Sequence, residues 1–155
     1  MGLRAVYLGV DEGILDDLVA LPTDQRSGAL ARLEESSTRV LHLDKAWDGL
    51  HFLLTVVSAG SPIEGSPLSE AVVGVHVFDG DDYVGCSELD ELPAIVAALE
   101  RVPLADLLAG ADFSAFARAG IYPNTWGSDP AVLTAELATA FAELLDFHRG
   151  CVAAG

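Results

Sequence analysis

The chain has 155 residues, 51% of them hydrophobic, and its 24 acidic and 8 basic side chains give a formal net charge of −16. This size and hydrophobic content predict one folded domain over 1–155 and exclude a disordered chain. Because such a charge repels polyanions, nucleic acid and anionic membranes are not expected as partners, whereas a basic protein would be attracted.

The first part of the chain predicts a strand followed by helices. A helix is predicted to begin after Asp11, in an acidic stretch. Pro22 ends that helix because proline lacks the backbone donor that a continuing helix needs. The pattern predicts four elements before Asp44: a mostly buried strand over 3–10, helices over 12–21 and 25–35, and a short extended segment over 40–43.

The most informative segment runs from Asp44 to Ser58, where we predict a helix over 45–58 with Asp44 as its N-cap. On a helical wheel its polar side chains fall within a stripe about 80° wide. These side chains are Asp44, Asp48, His51, Thr55 and Ser58. Nearly every other position is apolar, so the helix is expected to be central, with a stripe that either faces a pocket or is satisfied internally.

Capping and turn residues organise the next part of the chain. Ser66 is a natural N-cap, Pro67 suits the first helical position and Gly74 suits a helix stop, which together predict a short helix. Strand-like residues then flank the turn sequence Asp79-Gly80-Asp81-Asp82. This arrangement predicts a β-hairpin over 75–86.

The remainder is predicted to be helical except for one ordered loop. Apolar residues recur at helical spacing after Glu88, and Pro103 opens a further short helix. Residues 121–127 break the helical period and carry two large aromatic side chains, whereas Asp129 begins a final helix of about 20 residues that closes near Gly150. Because helices outnumber strands and crossover helices do not alternate with strands, the predicted fold class is α+β, mainly helical with a small β-sheet.

Asp48 and His51 are the leading candidates for chemistry. Three residues apart on a helix, the carboxylate can hold an imidazole nitrogen and fix its tautomer. Such a pair can act as general acid and base, and it can equally be a buried structural pair. His76 in the predicted hairpin could complete a two-histidine, one-carboxylate metal site, although a histidine between valines on a strand is more often a satisfied, half-buried side chain.

The sequence carries no phosphate loop, no dinucleotide glycine fingerprint and no serine elbow. Cys86 and Cys151 are far apart, and neither belongs to a CxxC pair. The acidic run from Asp79 fails the EF-hand spacing, because Tyr83 and Val84 stand where a ligand and a glycine are required, so we assign it to a solvated turn and an acidic first helical turn. We therefore predict no cofactor and no metal.

Four blocks resemble the YfbM-like family of small bacterial proteins, which is described as a domain of unknown function. The blocks are Met1-Gly2, the run DKAWDGLHF over 44–52, the run PLSEAVVG over 67–74, and Ile121-Tyr122-Pro123. The resemblance implies a single α+β domain and implies no reaction. The resemblance covers the polar helix and the aromatic loop, which favours a groove to which both segments contribute. The candidate site residues are Trp47, Asp48, His51, His76, Tyr122 and Trp126.

These observations leave different classes of function open. The first hypothesis is a non-catalytic binding domain whose acidic surface meets a basic protein partner, although acidity also serves solubility alone. The alternative is a small hydrolase or metal-assisted enzyme that uses Asp48 and His51, with His76, as base and ligands. A third is a plain scaffold in which the pair only holds the helix in place. Short apolar runs and the lack of a signal region predict a cytoplasmic protein, and the oligomeric state is open.

Overall fold

The computed structural model describes residues 3–78 and 83–154. Its strands are β1 (Ala5–Leu8), β2 (Val40–Asp44), β3 (His76–Phe78) and β4 (Val84–Cys86). Its helices are α1 (Glu12–Ala20), α2 (Thr23–Ser36), α3 (Trp47–Thr55), α4 (Pro67–Val73), α5 (Leu92–Glu100), α6 (Leu104–Ala109), α7 (Phe113–Arg118) and α8 (Pro130–Ala154), with a 3-10 turn at Leu89–Glu91. The predicted α+β class, mostly helical, is confirmed.

The long helix α8 organises the core. It packs against α3, α4, α5, α6 and strand β2, and α4 in turn packs against α3 and α5. Apolar residues at helical spacing give α8 a continuous buried face toward these neighbours. This face consists of Leu133, Leu137, Ala140, Phe141 and Leu144. The helix extends past the predicted end near Gly150 because Cys151 and Val152 also pack against the core.

The strands form two antiparallel pairs, β1 with β2 and β3 with β4. In the second pair His76 lies opposite Cys86 and Phe78 opposite Val84, which confirms the strands of the predicted hairpin. Its turn, residues 79–82, lies outside the described residues. The short helix predicted before it is also confirmed, with Ser66 as N-cap and Gly74 as the closing residue at φ 88°.

The central helix α3 begins later than predicted. Strand β2 continues through Asp44, which pairs with Ala5 of β1 and has a positive φ of 51°. The prediction that Asp44 is an N-cap is therefore wrong, because strand pairing extends past the point where helical periodicity begins. Its carboxylate instead lies 3.6 Å from the guanidinium of Arg4. The helix starts at Trp47, and Ala46 at its N-cap position provides no side-chain cap.

A left-handed residue reverses the chain at the other end of α3. Val56 has φ 63°, and its N–H donates to the Phe52 carbonyl at 2.8 Å, which closes the helix after Thr55. Ser58 thus lies beyond the helix and not on the predicted helical stripe. The reversal brings residues 57–59 back toward α3. Their polar groups there contact Asp48 and His51 of the predicted polar stripe.

Gly49 allows α3 to approach the aromatic loop at residues 121–127. A β-carbon at this position would overlap the indole ring of Trp126 and lie 3.4 Å from the side chain of Leu137. Both neighbours are buried, so neither can move without disturbing the core. The absence of a side chain at position 49 therefore sets the spacing between α3, the loop and α8.

We predict that Gly49→Ala lowers the free energy of unfolding by about 1–3 kcal/mol, because overpacking outweighs the better helix propensity of alanine. Gly28→Ala is the matched control, since Gly28 lies on the exposed side of α2 and its added methyl would only touch Arg32 at 3.6 Å. That control should gain about 0.5–1 kcal/mol in chemical denaturation. Equal effects of the two changes would contradict the packing argument.

Candidate functional site

Asp48 joins three segments of the chain. Its side chain is buried in the first turn of α3, with 4% exposure. One carboxylate oxygen accepts hydrogen bonds from the Ser58 hydroxyl at 3.0 Å and the Ala59 N–H at 2.7 Å, and the other accepts from the Tyr122 N–H at 2.9 Å. Three donors compensate the desolvation of the carboxylate, and they attach both the returning chain and the aromatic loop to α3.

His51 lies one turn further along α3 and has its own partners. Its Nδ1 is 2.7 Å from the Val57 carbonyl, and its Nε2 is 2.7 Å from the Ser69 hydroxyl. A carbonyl only accepts, so Nδ1 carries a proton; in the neutral ring Nε2 then accepts from Ser69. The Ser69 oxygen in turn accepts from the Ile63 N–H at 3.0 Å. The result is one directional chain of hydrogen bonds from the loop before α4 to the end of α3.

The Ser69–His51 contact has the spacing of a nucleophile and its base. However, both side chains have 0% exposure, and the Val57 carbonyl occupies the orienting position that a carboxylate holds in a catalytic triad. The hydrogen bonds of Asp48 go to other groups. Of the predicted polar stripe, Asp48, His51 and Ser58 are hydrogen-bonded internally, whereas Asp44 is exposed beside Arg4.

The aromatic candidates divide into a stacked pair and a buried ring. Trp47 and Tyr122 stack with centroids 5.5 Å apart, and both bind the backbone of Leu3: its carbonyl accepts from the Trp47 indole at 3.2 Å, and its N–H donates to the Tyr122 hydroxyl at 2.7 Å. Trp126 is buried, packs on Phe113 and Phe116, and donates to the Ile121 carbonyl at 2.8 Å. Together they attach the aromatic loop to β1, α3 and α7.

An open groove lies beside Trp126. It has a volume of about 1000 Å³ and runs between the end of β2, residues 123–126 of the aromatic loop and the α8 face from Ala131 to Glu143. We call it the α8 groove. Of the six predicted site residues, only Trp126 lines it.

His76 is separated from the other candidates. It is exposed on β3, and its Nε2 lies 3.0 Å from both carboxylate oxygens of Glu91. Within residues 3–78 and 83–154, the only histidine, cysteine or acidic side chains that converge as metal donors are His76, Glu88 and Glu91, so Asp48 and His51 do not join His76. Burial, together with the charges of Glu88 and Glu91, raises the pKa of the nearby Cys86 thiol.

Besides Asp48 and His51, the buried polar residues of the described ranges are Arg26, Ser69 and His148, none of which is among the predicted site residues. Ser69 lies within the short helix that begins after Ser66, and nothing in its local sequence indicates a distant histidine. His148 is buried on α8, with Nε2 donating to the Ala71 carbonyl at 2.9 Å and Nδ1 unpaired among the described residues. Burial lowers the pKa of His148, and the hydrogen bond to Ala71 partly opposes this effect.

Comparison with known proteins agrees with this architecture. The family model for the domain of unknown function DUF1877 matches residues 1–155. The chain belongs to this family. Protein YfbM of Escherichia coli (strain K12) is 38% identical over 96 residues, a match that spans 61% of this chain and 58% of YfbM.

The crystal structure of YfbM from Escherichia coli, a protein of unknown function, extends the similarity. It superposes on this DUF1877 chain with a TM-score of 0.83 and 27% identity, over 99% of this chain and 95% of YfbM. The resemblance to the YfbM-like family and the α+β class that it implied are therefore confirmed. In the described part of this DUF1877 domain, no helix is both long and apolar enough to cross a membrane.

We predict that Asp48→Asn lowers the free energy of unfolding by about 2–3 kcal/mol, because an amide offers one acceptor oxygen where the carboxylate serves three donors. The matched control is Asp44→Asn, which alters an exposed carboxylate and suits the positive φ of that residue. It should change stability by less than about 0.5 kcal/mol in urea titrations. Similar losses in both variants would show that Asp48 does not have the central role assigned to it.

We also predict that the stability of the protein falls as the pH drops below about 6.5, the ordinary pKa of histidine. The folded-state pKa of His148 is lowered, so the unfolded chain takes up a proton before the folded chain does. This contribution is fully present above about pH 6.5 and is lost as the pH falls toward the lower, folded-state value. His148→Gln keeps a donor for Ala71 and should flatten the slope of unfolding free energy against pH. An unchanged slope would count against His148 as its source.

Proposed function

We propose that this chain is a non-catalytic binding domain that holds a basic, amphipathic polypeptide segment in the α8 groove. The carrying observation is the groove itself, which combines an open volume, an apolar floor and an acidic wall. The sealed positions of His51 and Asp48 favour this function over the hydrolase alternative, because a substrate has no access to either side chain.

The floor of the α8 groove is apolar and firm, and the exposed side chain of Val132 at its edge supplies apolar contact area. Leu43, Leu133 and Leu137 line it from below, and the ring of Trp126 closes one end. All four are largely buried, so they form a firm base rather than a flexible surface. Concave apolar surface beside an aromatic ring is typical of sites that receive a side-chain anchor from a partner.

The α8 wall of the groove is acidic. Glu136 and Glu143 are both exposed, and neither forms an ion pair with any residue in the described ranges. Seven residues apart, they lie on the same helical face at a separation of about 10 Å along the axis. A partner helix with two lysine or arginine residues two turns apart would match this spacing.

The opposite wall carries the positive charge of the groove. Arg4 directly precedes β1, Lys45 directly follows β2, and Arg4 already faces Asp44. The groove is therefore polarised across its width, which would orient a bound segment with its cationic face toward α8. The net charge of −16 adds long-range attraction for the same kind of partner.

The test uses a labelled model helix with a leucine stripe and two lysines seven positions apart, measured by fluorescence anisotropy at low and moderate salt. We expect binding that weakens with salt, and an increase of Kd of about fivefold or more in the double variant Glu136→Gln/Glu143→Gln. The charge-matched control Asp16→Asn/Asp17→Asn removes two exposed acids of α1, away from the groove, and should change Kd by less than about twofold.

The controls separate the possible failures of this proposal. If both double variants weaken binding equally, the overall field binds the peptide and the α8 groove does not. If the wild-type protein does not bind, or binds without dependence on salt, the proposed recognition of a basic segment is wrong.

A further inference from the structure

The strongest unassigned cluster lies where the β3–β4 hairpin meets the start of α5. Donor atoms of His76, Glu88 and Glu91 all lie within 4.8 Å of one another. His76 comes from β3, whereas the two carboxylates lie just beyond β4, so the hairpin fold brings an imidazole nitrogen and carboxylate oxygens together. A mixed nitrogen and oxygen donor set of this kind is one that divalent transition metals use.

The spacing of these donors fits a metal ion. The His76 Nε2 is 3.0 Å from each oxygen of Glu91. Tetrahedral zinc, with bonds of about 2.0–2.2 Å, requires its ligand atoms to be about 3.3–3.6 Å apart. An ion could therefore enter between the His76 imidazole and the Glu91 carboxylate after shifts of a few tenths of an ångström, and the Glu88 donor lies within 4.8 Å of both.

Glu91 is held in place before any ion binds. One of its oxygens accepts the Glu88 N–H at 2.7 Å, and its side chain is only 24% exposed. The hydrogen bond fixes the carboxylate toward His76 and leaves the other oxygen available as a ligand. Such outer-sphere support orients first-shell ligands in metal sites.

The donor types of the cluster favour a transition metal. An imidazole nitrogen beside carboxylate oxygens suits zinc and its neighbours better than magnesium or calcium, which prefer oxygen ligands alone. Cys86 lies opposite His76 in the register of the hairpin, on the same face of the strand pair, but its thiol does not converge with the three donors.

We propose that His76, Glu88 and Glu91 form a binding site for a divalent transition metal of the zinc class. The sequence placed the two glutamates in an acidic helix start and paired His76 with Asp48 and His51; the structure gives a different donor set. The site is independent of the α8 groove. A bound ion would join β3 to the 3-10 turn, so it would stabilise the folded chain in proportion to its occupancy.

The structure offers an internal control. His42 and Glu34 form a second exposed histidine–glutamate pair at 3.8 Å, and no further donor converges on it within the described residues. A site that depends on converging ligands should lose zinc with His76→Gln and not with His42→Gln. Glu91→Gln provides a second variant, because its amide oxygen can still accept the Glu88 N–H.

Zinc binding is measured on the full chain by competition with a chromophoric chelator. We expect one zinc per chain, a rise of Tm with zinc concentration, and an affinity at least about tenfold lower in the His76→Gln and Glu91→Gln variants, with His42→Gln at the wild-type value. The absence of stoichiometric binding, or binding that is equal in all three variants, would overturn the site.

Cobalt tests whether the thiol stays outside the site. Because the Cys86 thiol does not converge with the three donors, Co²⁺ bound to the protein should show no thiolate charge-transfer band in the near ultraviolet, and Cys86→Ser should bind zinc with the wild-type affinity. A thiolate band that Cys86→Ser abolishes, or a loss of zinc affinity in that variant, would contradict the donor set of His76, Glu88 and Glu91.

Discussion

The buried carboxylate of Asp48 is the interaction on which the central arrangement depends. It accepts hydrogen bonds from the chain that returns after α3 and from the aromatic loop, so two segments far apart in sequence share one acceptor group. A buried charge is costly unless its partners are all present. If either segment moves away, the carboxylate loses hydrogen bonds that offset the cost of burying it. The same side chain therefore holds both segments in place.

The second polar layer depends on the chain reversal at Val56. Since this residue is β-branched, a left-handed conformation is unfavourable locally and must be supported by its surroundings. Two hydrogen bonds that follow the reversal provide this support. The Val57 carbonyl accepts from the His51 ring, and the Ala59 N–H donates to Asp48. The reversal thus explains how Asp48 and His51 are buried on a helix that carries polar side chains. Both are covered by the backbone that follows the helix.

Local patterns predicted the features that depend on local physics. Apolar spacing located α8, and the Ser66 and Gly74 caps located α4. The wheel also identified Asp48 and His51 as the polar side of a central helix. The predicted helix was too long because strand pairing at Asp44 and the reversal at Val56 are set by tertiary contacts, which periodicity does not record. For the same reason Ser69 was not predicted as the partner of His51, and Glu91 was not predicted as the partner of His76, since each pair is joined only by the fold.

The sealed network also acts on the surface that remains available for binding. Asp48 accepts from the N–H of Tyr122, and the Ile121 carbonyl of the same peptide accepts from the Trp126 indole, so Trp126 is attached to the peptide that Asp48 fixes. Pro123 and Trp126 of the aromatic loop line the α8 groove. Under the proposed binding function, Asp48 would therefore contribute by position, because it holds residues that line the groove and does not line the groove itself. A buried side chain of this kind would support binding without contacting a ligand.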